Sequence, residues 1–317
     1  MLQLGKNLKP KTTFFGIIYG TPGVGKTTLA LSAKNPILLD CDNGAERVEY
    51  PYRAEVPVLK PQSFKDIMDT ITTNIVIDGK EYEYDTVVID TIGMLVEYAL
   101  EQVMIDDPKM RQRDGTPVIK AYGAISNPIK KLKDTAIMAG KSLLIIGHAD
   151  EKDTNNGLTY RVQCSGSTAN KLISMADFVG FMDMNGTQRT ITFTPSDHAF
   201  AKNALGLPEN IKVPDPSTCG NNFIQKVIDS AIAKRTQESH EVQSRFDELI
   251  KKMQSAVAAA KDAEGMNVVW DWGKIINHIW ESKARFSEML KNRSTELNVM
   301  FSKEEGKFVA QTEEDAQ

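Results

Sequence analysis

The chain has 317 residues, 41% of them hydrophobic and 25% charged, with 38 Lys and Arg against 42 Asp and Glu for a formal net charge of −4. That length suits one large α/β domain with an appendage, or two modest domains, and no apolar run approaches the roughly 20 residues needed to cross a bilayer. The charge balance excludes a global basic field, so any contact with nucleic acid has to come from a local patch.

The first predicted strand is Thr13-Phe14-Phe15-Gly16-Ile17-Ile18-Tyr19. It runs into Gly20-Thr21-Pro22-Gly23-Val24-Gly25-Lys26-Thr27, and helix formers follow over residues 28–33. This fills G-x-x-x-x-G-K-S/T at every constrained position, in the strand–loop–helix context that the spacing requires. Glycines let successive backbone N–H groups curl around a β-phosphate with no Cβ in the way, and the first helical turn adds partial positive charge. Lys26 is placed to reach the β- and γ-phosphates, the Thr27 hydroxyl to ligate Mg2+, and Thr28 to complete the cradle. The bland alternative, a connecting turn rich in glycine, leaves the lysine and threonine unexplained. The expected ligand is a nucleoside triphosphate, ATP with Mg2+.

Downstream, short apolar strands alternate with helices. Pro36-Ile37-Leu38-Leu39-Asp40 ends in an acid and continues into Cys41-Asp42. Residues 63–74 have an N-cap serine and apolar positions Phe64, Ile67, Met68 and Ile71 at helical spacing. Asp78-Gly79 reads as a hairpin turn, Thr86-Val87-Val88-Ile89-Asp90 as a strand closed by an acid, and residues 93–104 and 126–138 as helices, the latter stopped by Gly140. Ser142-Leu143-Leu144-Ile145-Ile146 is the next buried strand. The alternation implies a parallel sheet covered on both faces.

After His148 the pattern changes. Asn156-Gly157 and Asn185-Gly186 are hairpin signals, residues 158–164 and 187–194 are β-rich, and between them 168–175 reads as a helix and 178–182 as a strand. Antiparallel strands are therefore expected to extend the sheet. The proline-rich run 207–216 marks the end of that domain, and residues 223–234 form a helix. Beyond Thr236, Val242, Phe246, Leu249, Ile250, Met253 and Val257 make one helical stripe, and Trp272, Ile275, Ile276, Ile279 and Trp280 a second. Such stripes usually mean core; an oligomerisation or partner-docking arm is the sharper alternative. Glu304-Glu305 and Glu313-Glu314-Asp315 mark an acidic tail expected to be disordered. The predicted organisation is a nucleotide-binding α/β domain over 1–235, a helical extension over 236–302 and the tail over 303–317.

A phosphate loop needs a carboxylate at a neighbouring strand end to orient hydrated Mg2+, and Asp90 is the candidate. Hydrolysis needs a group to orient or deprotonate water. Asp40 and Asp42 sit at i and i+2, which in an extended segment point to one side. Asp42, further into the loop, is the preferred base, with Asp40 a structural or metal-shell partner; an N-cap for residues 45–48 is the bland role. His148 ends a core strand at the edge where ligands collect, and is a candidate sensor of the γ-phosphate. Three scattered cysteines, Cys41, Cys164 and Cys219, with no C-x-x-C pair, read as reduced thiols of a cytoplasmic protein, and residues 1–11 carry no apolar signal core.

Taken in order, Gly20 to Thr27, Leu39-Asp40-Cys41-Asp42, Val88-Ile89-Asp90-Thr91 and Ile146-Gly147-His148 resemble the RecA-like ATPase core over residues 12–233. The set looks most like the phage ATP-binding proteins of that P-loop superfamily, the Sak group of single-strand annealing ATPases. The resemblance implies that Asp42 activates water, Asp standing where many relatives carry Glu, that His148 is the polar sensor, and that Lys202 contacts ATP in a neighbouring subunit of a homo-oligomer. Candidate DNA-facing residues are Lys109, Arg111, Arg113, Lys120, Tyr122, Lys130, Lys131 and Lys133, a set suited to gripping phosphates and stacking bases. The expectation is an ATP-hydrolysing phage recombination protein, stimulated by single-stranded DNA and promoting annealing or pairing, with no membrane role. Phage or host recombination and replication proteins are candidate partners of the C-terminal extension. A helicase or loader-type motor, a small-molecule kinase and a binding-only switch are the alternatives.

Overall fold

The computed structural model describes residues 11–154, 157–164 and 168–311, and chain contacts divide it into two compact units, Met1–Lys234 and Arg235–Gln317. In the first, β1 (Phe15–Gly20) is buried throughout and leads through the glycine-rich loop into α1 (Lys26–Ala30). Next come β2 (Pro36–Asp40), α2 (Tyr50–Arg53), β3 (Val58–Leu59) and α3 (Phe64–Thr72). The Ser63 hydroxyl caps α3, accepting from the Asp66 N–H at 3.2 Å. The hairpin β4 (Ile75–Ile77) to β5 (Lys80–Tyr82) turns at Asp78 and Gly79. After β6 (Thr86–Asp90) come α4 (Ile92–Asp106), α5 (Ile119–Ala124) and α6 (Ser126–Met138). Then follow β7 (Ser142–Thr154), β8 (Gly157–Val162), α7 (Thr168–Met175), β9 (Phe178–Asn185), β10 (Gln188–Thr192), β11 (Lys202–Asn203), β12 (Asn210–Val213), α8 (Pro216–Cys219) and α9 (Phe223–Ala259).

The main sheet runs β12-β10-β9-β1-β7-β6-β2-β3, with β8 on β7 and β11 on β9. From β9 through β3 each strand runs parallel to the next; β8, β10, β11 and β12 pair antiparallel. The expected class, a mostly parallel α/β sheet extended by antiparallel strands, is the observed one. Its near-continuous apolar strands are explained by two cores, one per face. Ile17, Leu39, Ile89 and Ile145 face α3, α4 and α6; Ile18, Leu38, Val88 and Ile146 face α1 and the first turns of α9.

Several expectations need correction. The proline-rich run does not end the domain, because Asn210–Val213 within it pairs with β10 as a sheet strand. The helix expected over 223–234 continues to Ala259, since no glycine or proline interrupts it. The second apolar stripe is not one helix. In the second unit α10 (Ala263–Ile275) buries Met266, Val269 and Gly273, while Ile275 is 82% exposed and Trp280, beyond the helix, 60%.

The second unit packs the end of α9, α10 and α11 (Ser282–Glu296) with a hairpin of β13 (Val299–Ser302) and β14 (Lys307–Ala310) around Met253, Val257, Phe286 and Phe308. Part of the expected disordered tail is thus strand, because Phe308 buries its ring and Asn267 exchanges two hydrogen bonds with its backbone. Asn156 and the acids Glu313, Glu314 and Asp315 lie outside the described residues. No helix among the described residues is long and apolar enough to cross a membrane.

Candidate active site

In register, Gly20 of β1 stands opposite His148 of β7, Ile146 opposite Asp90 of β6, and Asp90 opposite Asp40 of β2. Parallel strands run the same way, so their final residues collect at the edge where the loop begins. Gly20 tolerates no side chain, for a Cβ would lie 2.1 Å from the Met182 carbonyl oxygen. Gly25 takes φ 92° at the start of α1, a left-handed backbone that glycine adopts without strain.

Lys26 is buried, and its Nζ donates to the carbonyls of Gly20 at 3.1 Å and Thr21 at 2.9 Å. Burial lowers its pKa, while Asp90 and Asp42 favour the ammonium. The Thr27 hydroxyl donates to Asp90 Oδ2 at 2.7 Å. Burial pushes the Asp90 carboxyl up to about 6; the Thr27 hydrogen bond opposes this and Asp42 and Asp40 add to it. A hydroxyl and a carboxylate make a hard oxygen pair that suits Mg2+ completed by phosphate oxygens and water. Among the described residues no three His, Cys, Asp or Glu side chains converge to hold a metal by themselves.

β2 ends at Asp40 and the chain turns at Asn43, φ 58°, so the extended segment that would carry Asp40 and Asp42 alike stops at Asp40, and the two acids are held differently. The Asp40 carboxylate is 1% exposed and accepts the N–H of Gly44 at 2.7 Å and of Ala45 at 3.2 Å, closing the turn into the 3-10 helix Ala45–Arg47. Asp42 Oδ1, in contrast, is buried with no hydrogen-bond partner, and so is His148 Nδ1. A buried polar atom left unpaired costs about 1–3 kcal/mol, so two of them beside one lysine mark a site built to meet something. Burial, and then Lys26, lower the pKa of the His148 ring, while Asp42 raises it; the net direction favours the neutral ring. Cys41, between the two acids, is a buried thiol pushed up to about 12 by burial and the surrounding carboxylates, and acts as packing.

Two arginines escaped the sequence analysis. Arg189 donates from Nε to the Val24 carbonyl at 3.0 Å, bridging β10 to the loop across 165 residues of chain. Arg47 Nη1 lies 3.4 Å from where a Cβ on Gly44 would stand, and its charge reaches His148. Neither sits in a recognisable motif; only strand pairing and the turn after β2 bring them in. Lys202 donates within its own chain to the carbonyls of Ile173 at 3.2 Å and Ser174 at 2.7 Å, at the end of α7.

The basic segment forms a hydrogen-bonded turn, with Gln112 N–H donating to the Thr116 carbonyl at 2.7 Å and an Arg111–Pro117 bridge. Lys109, Arg111, Arg113, Lys120, Tyr122, Lys130 and Lys131 are exposed, and none of these cations joins an ion pair among the described residues. Lys133 differs: it is half-buried and paired with Asp134 at 3.1 Å.

Comparison with known proteins places this site within a family. No curated protein matches the chain. Among solved structures, the crystal structure of the RadB recombinase is similar at 15% identity and a TM-score of 0.34, covering 58% of this chain and 80% of that one. A family model described as an AAA domain matches residues 14–205, well over half of the chain and inclusive of the loop, both acidic strand ends, His148 and Arg189. The chain belongs to the AAA domain family.

Proposed function

We propose that this protein is an ATP hydrolase whose nucleotide state controls binding of single-stranded DNA, as in the phage recombination proteins that its motifs resemble. The observation that carries the nucleotide assignment is the Thr27–Asp90 hydrogen bond beside a buried Lys26 and the unpaired Asp42 Oδ1. Lys26 exchanges its two carbonyl partners for the β- and γ-phosphate oxygens. Thr27 and Asp90 would hold Mg2+, which would neutralise phosphate charge there. Asp42 orients a water against the γ-phosphorus and takes its proton as the new P–O bond forms and the bridging oxygen leaves with ADP. The neutral His148 ring keeps one N–H to donate to a γ-phosphate oxygen, and the strand it belongs to carries that contact toward β8.

The exposed cations from Lys109 to Lys120, with Tyr122, supply the DNA-facing surface. ATP binding orders a homo-oligomer on the strand and promotes annealing or pairing; hydrolysis releases it. The test is ATP turnover with and without single-stranded DNA. Stimulation by about tenfold or more is expected for a DNA-coupled P-loop ATPase; turnover indifferent to DNA but dependent on a nucleoside acceptor would overturn the assignment.

A further inference from the structure

The 3-10 segment Ala45–Arg47 is pinned to the end of β2 by the Asp40 carboxylate, and the Arg47 N–H donates to the Gly44 carbonyl at 3.0 Å. The Arg47 side chain is exposed and enters no hydrogen bond or ion pair among the described residues. Arg53, close by in sequence, is committed: its Nε donates to the Val48 carbonyl at 2.9 Å and its guanidinium lies over the Tyr50 ring.

Gly44 keeps a gap open between the free guanidinium and Asp42. Its φ of −96° suits any residue, so backbone freedom does not call for glycine there. Room does: a Cβ would stand 2.8 Å from Asp42 Oδ1 and 3.4 Å from Arg47 Nη1. Across the gap, a buried carboxylate oxygen without a partner faces a guanidinium without one. The His148 ring, whose Nδ1 is also unpaired, feels the charges of Lys26, Asp42 and Arg47 together. Without Arg47 a γ-phosphate here would meet two carboxylates, Asp42 and Asp90, and the single ammonium of Lys26. Mg2+ would offset Asp90 on the Thr27 side, which leaves anion against anion on the Asp42 side. Charge that spreads over the equatorial oxygens of a phosphoryl group in transfer needs a donor there, and a guanidinium offers a planar fork of N–H groups matched to phosphate oxygens.

We propose that Arg47 is a catalytic residue for the site of its own chain, donating from its guanidinium to a γ-phosphate oxygen across the gap at Gly44 while Asp42 takes the proton of the attacking water. Arg47 stays charged throughout and moves no proton. The inference rests on the ATP hydrolase reading above. The test is equilibrium titration of the full chain with Mg2+ and ADP, with and without aluminium fluoride, which beside ADP mimics the phosphoryl group in transfer; single-turnover ATP hydrolysis is measured in parallel. Fluoride is expected to tighten ADP binding by the wild type at least about tenfold. In Arg47→Ala that gain is expected to fall at least about fivefold and hydrolysis about a hundredfold or more, with ADP affinity unchanged and Arg47→Lys recovering only part because it lacks the fork. Gly44→Ala, which fills the gap, is expected to lose the gain as well, whereas Glu46→Ala in the same 3-10 turn keeps it. An Arg47→Ala variant that hydrolyses ATP as the wild type does, or that keeps the whole fluoride gain, overturns the proposal. So does recovery of turnover on mixing Arg47→Ala with Asp42→Asn, since that puts the arginine in the site of a neighbouring copy. Failure of the ATP hydrolase reading looks different: the wild type itself then shows neither hydrolysis nor a fluoride gain.

Discussion

The two flanks of β1 bring chemistry to the phosphate loop by opposite routes. On one side β7, β6 and β2 run parallel to β1, and their last residues, or residues just past them, are the polar ones: Asp90, Asp40 and Asp42, with His148 at the same level. On the other side β10 runs antiparallel to β9, so a residue near its start arrives at that edge, and Arg189 is the second residue of the strand. A strand-final acid after an apolar run announces itself in a sequence. An arginine at the beginning of an antiparallel strand does not, although it makes as direct a contact with the loop.

Breaking the shared element comes first. Lys26→Ala removes the loop's own cation and is expected to weaken ATP binding by about a hundredfold or more, read by equilibrium titration. On the acidic flank, Asp42→Asn is expected to slow single-turnover hydrolysis by about a hundredfold while ATP affinity stays within about threefold. Asp40→Asn should behave otherwise: its carboxylate holds backbone N–H groups, so the loss is one of stability, about 1–3 kcal/mol in denaturant unfolding. If the two variants exchange phenotypes, the division of labour drawn between them is wrong. Away from both flanks, replacing Lys109, Arg111 and Arg113 together by Ala should lower single-stranded DNA affinity by about tenfold and flatten its salt dependence, leaving DNA-free turnover unchanged.

The smallest effect is thermal and has a definite sign. Burial pushes the Asp90 carboxyl up to about 6, above its ordinary 3.8. Its raised pKa contributes stability that is present at low pH and lost as pH rises through about 6. Asp90→Asn is therefore expected to raise the melting temperature of the nucleotide-free protein by a few degrees at pH 7.5, by about 1–3 kcal/mol, and to have little effect at pH 4. The same substitution should abolish the contribution of Mg2+ to ATP affinity. A lower melting temperature at pH 7.5 would show that the ionised carboxylate stabilises the empty site.

Local pattern carried much of the first unit. The filled loop motif, Ser63 as a cap, Asp78-Gly79 as a turn, and the apolar strands ending at Asp40 and Asp90 are each set by a few neighbouring residues, so they are legible without a fold. The misjudged places depend on distant partners. The strand Asn210–Val213 exists because β10 offers an edge; the tail segment around Phe308 folds because Asn267 and Trp270 receive it. Trp272 to Trp280 looks continuous as a stripe, yet the chain leaves the helix after Ile275.

Sequence alone pointed to a glycine-rich loop opening an α/β sheet and to Lys26, Thr27 and Asp90, which the fold brings together, because spacing along one strand–loop–helix unit and one strand end suffices. Which of two nearby acids is committed to the backbone, and which oxygen is left unpaired, was decided only by the turn at Asn43. That Arg189 holds the loop was decided only by sheet order, since pairing of strands far apart in the chain depends on the whole buried surface rather than on any local run of residues.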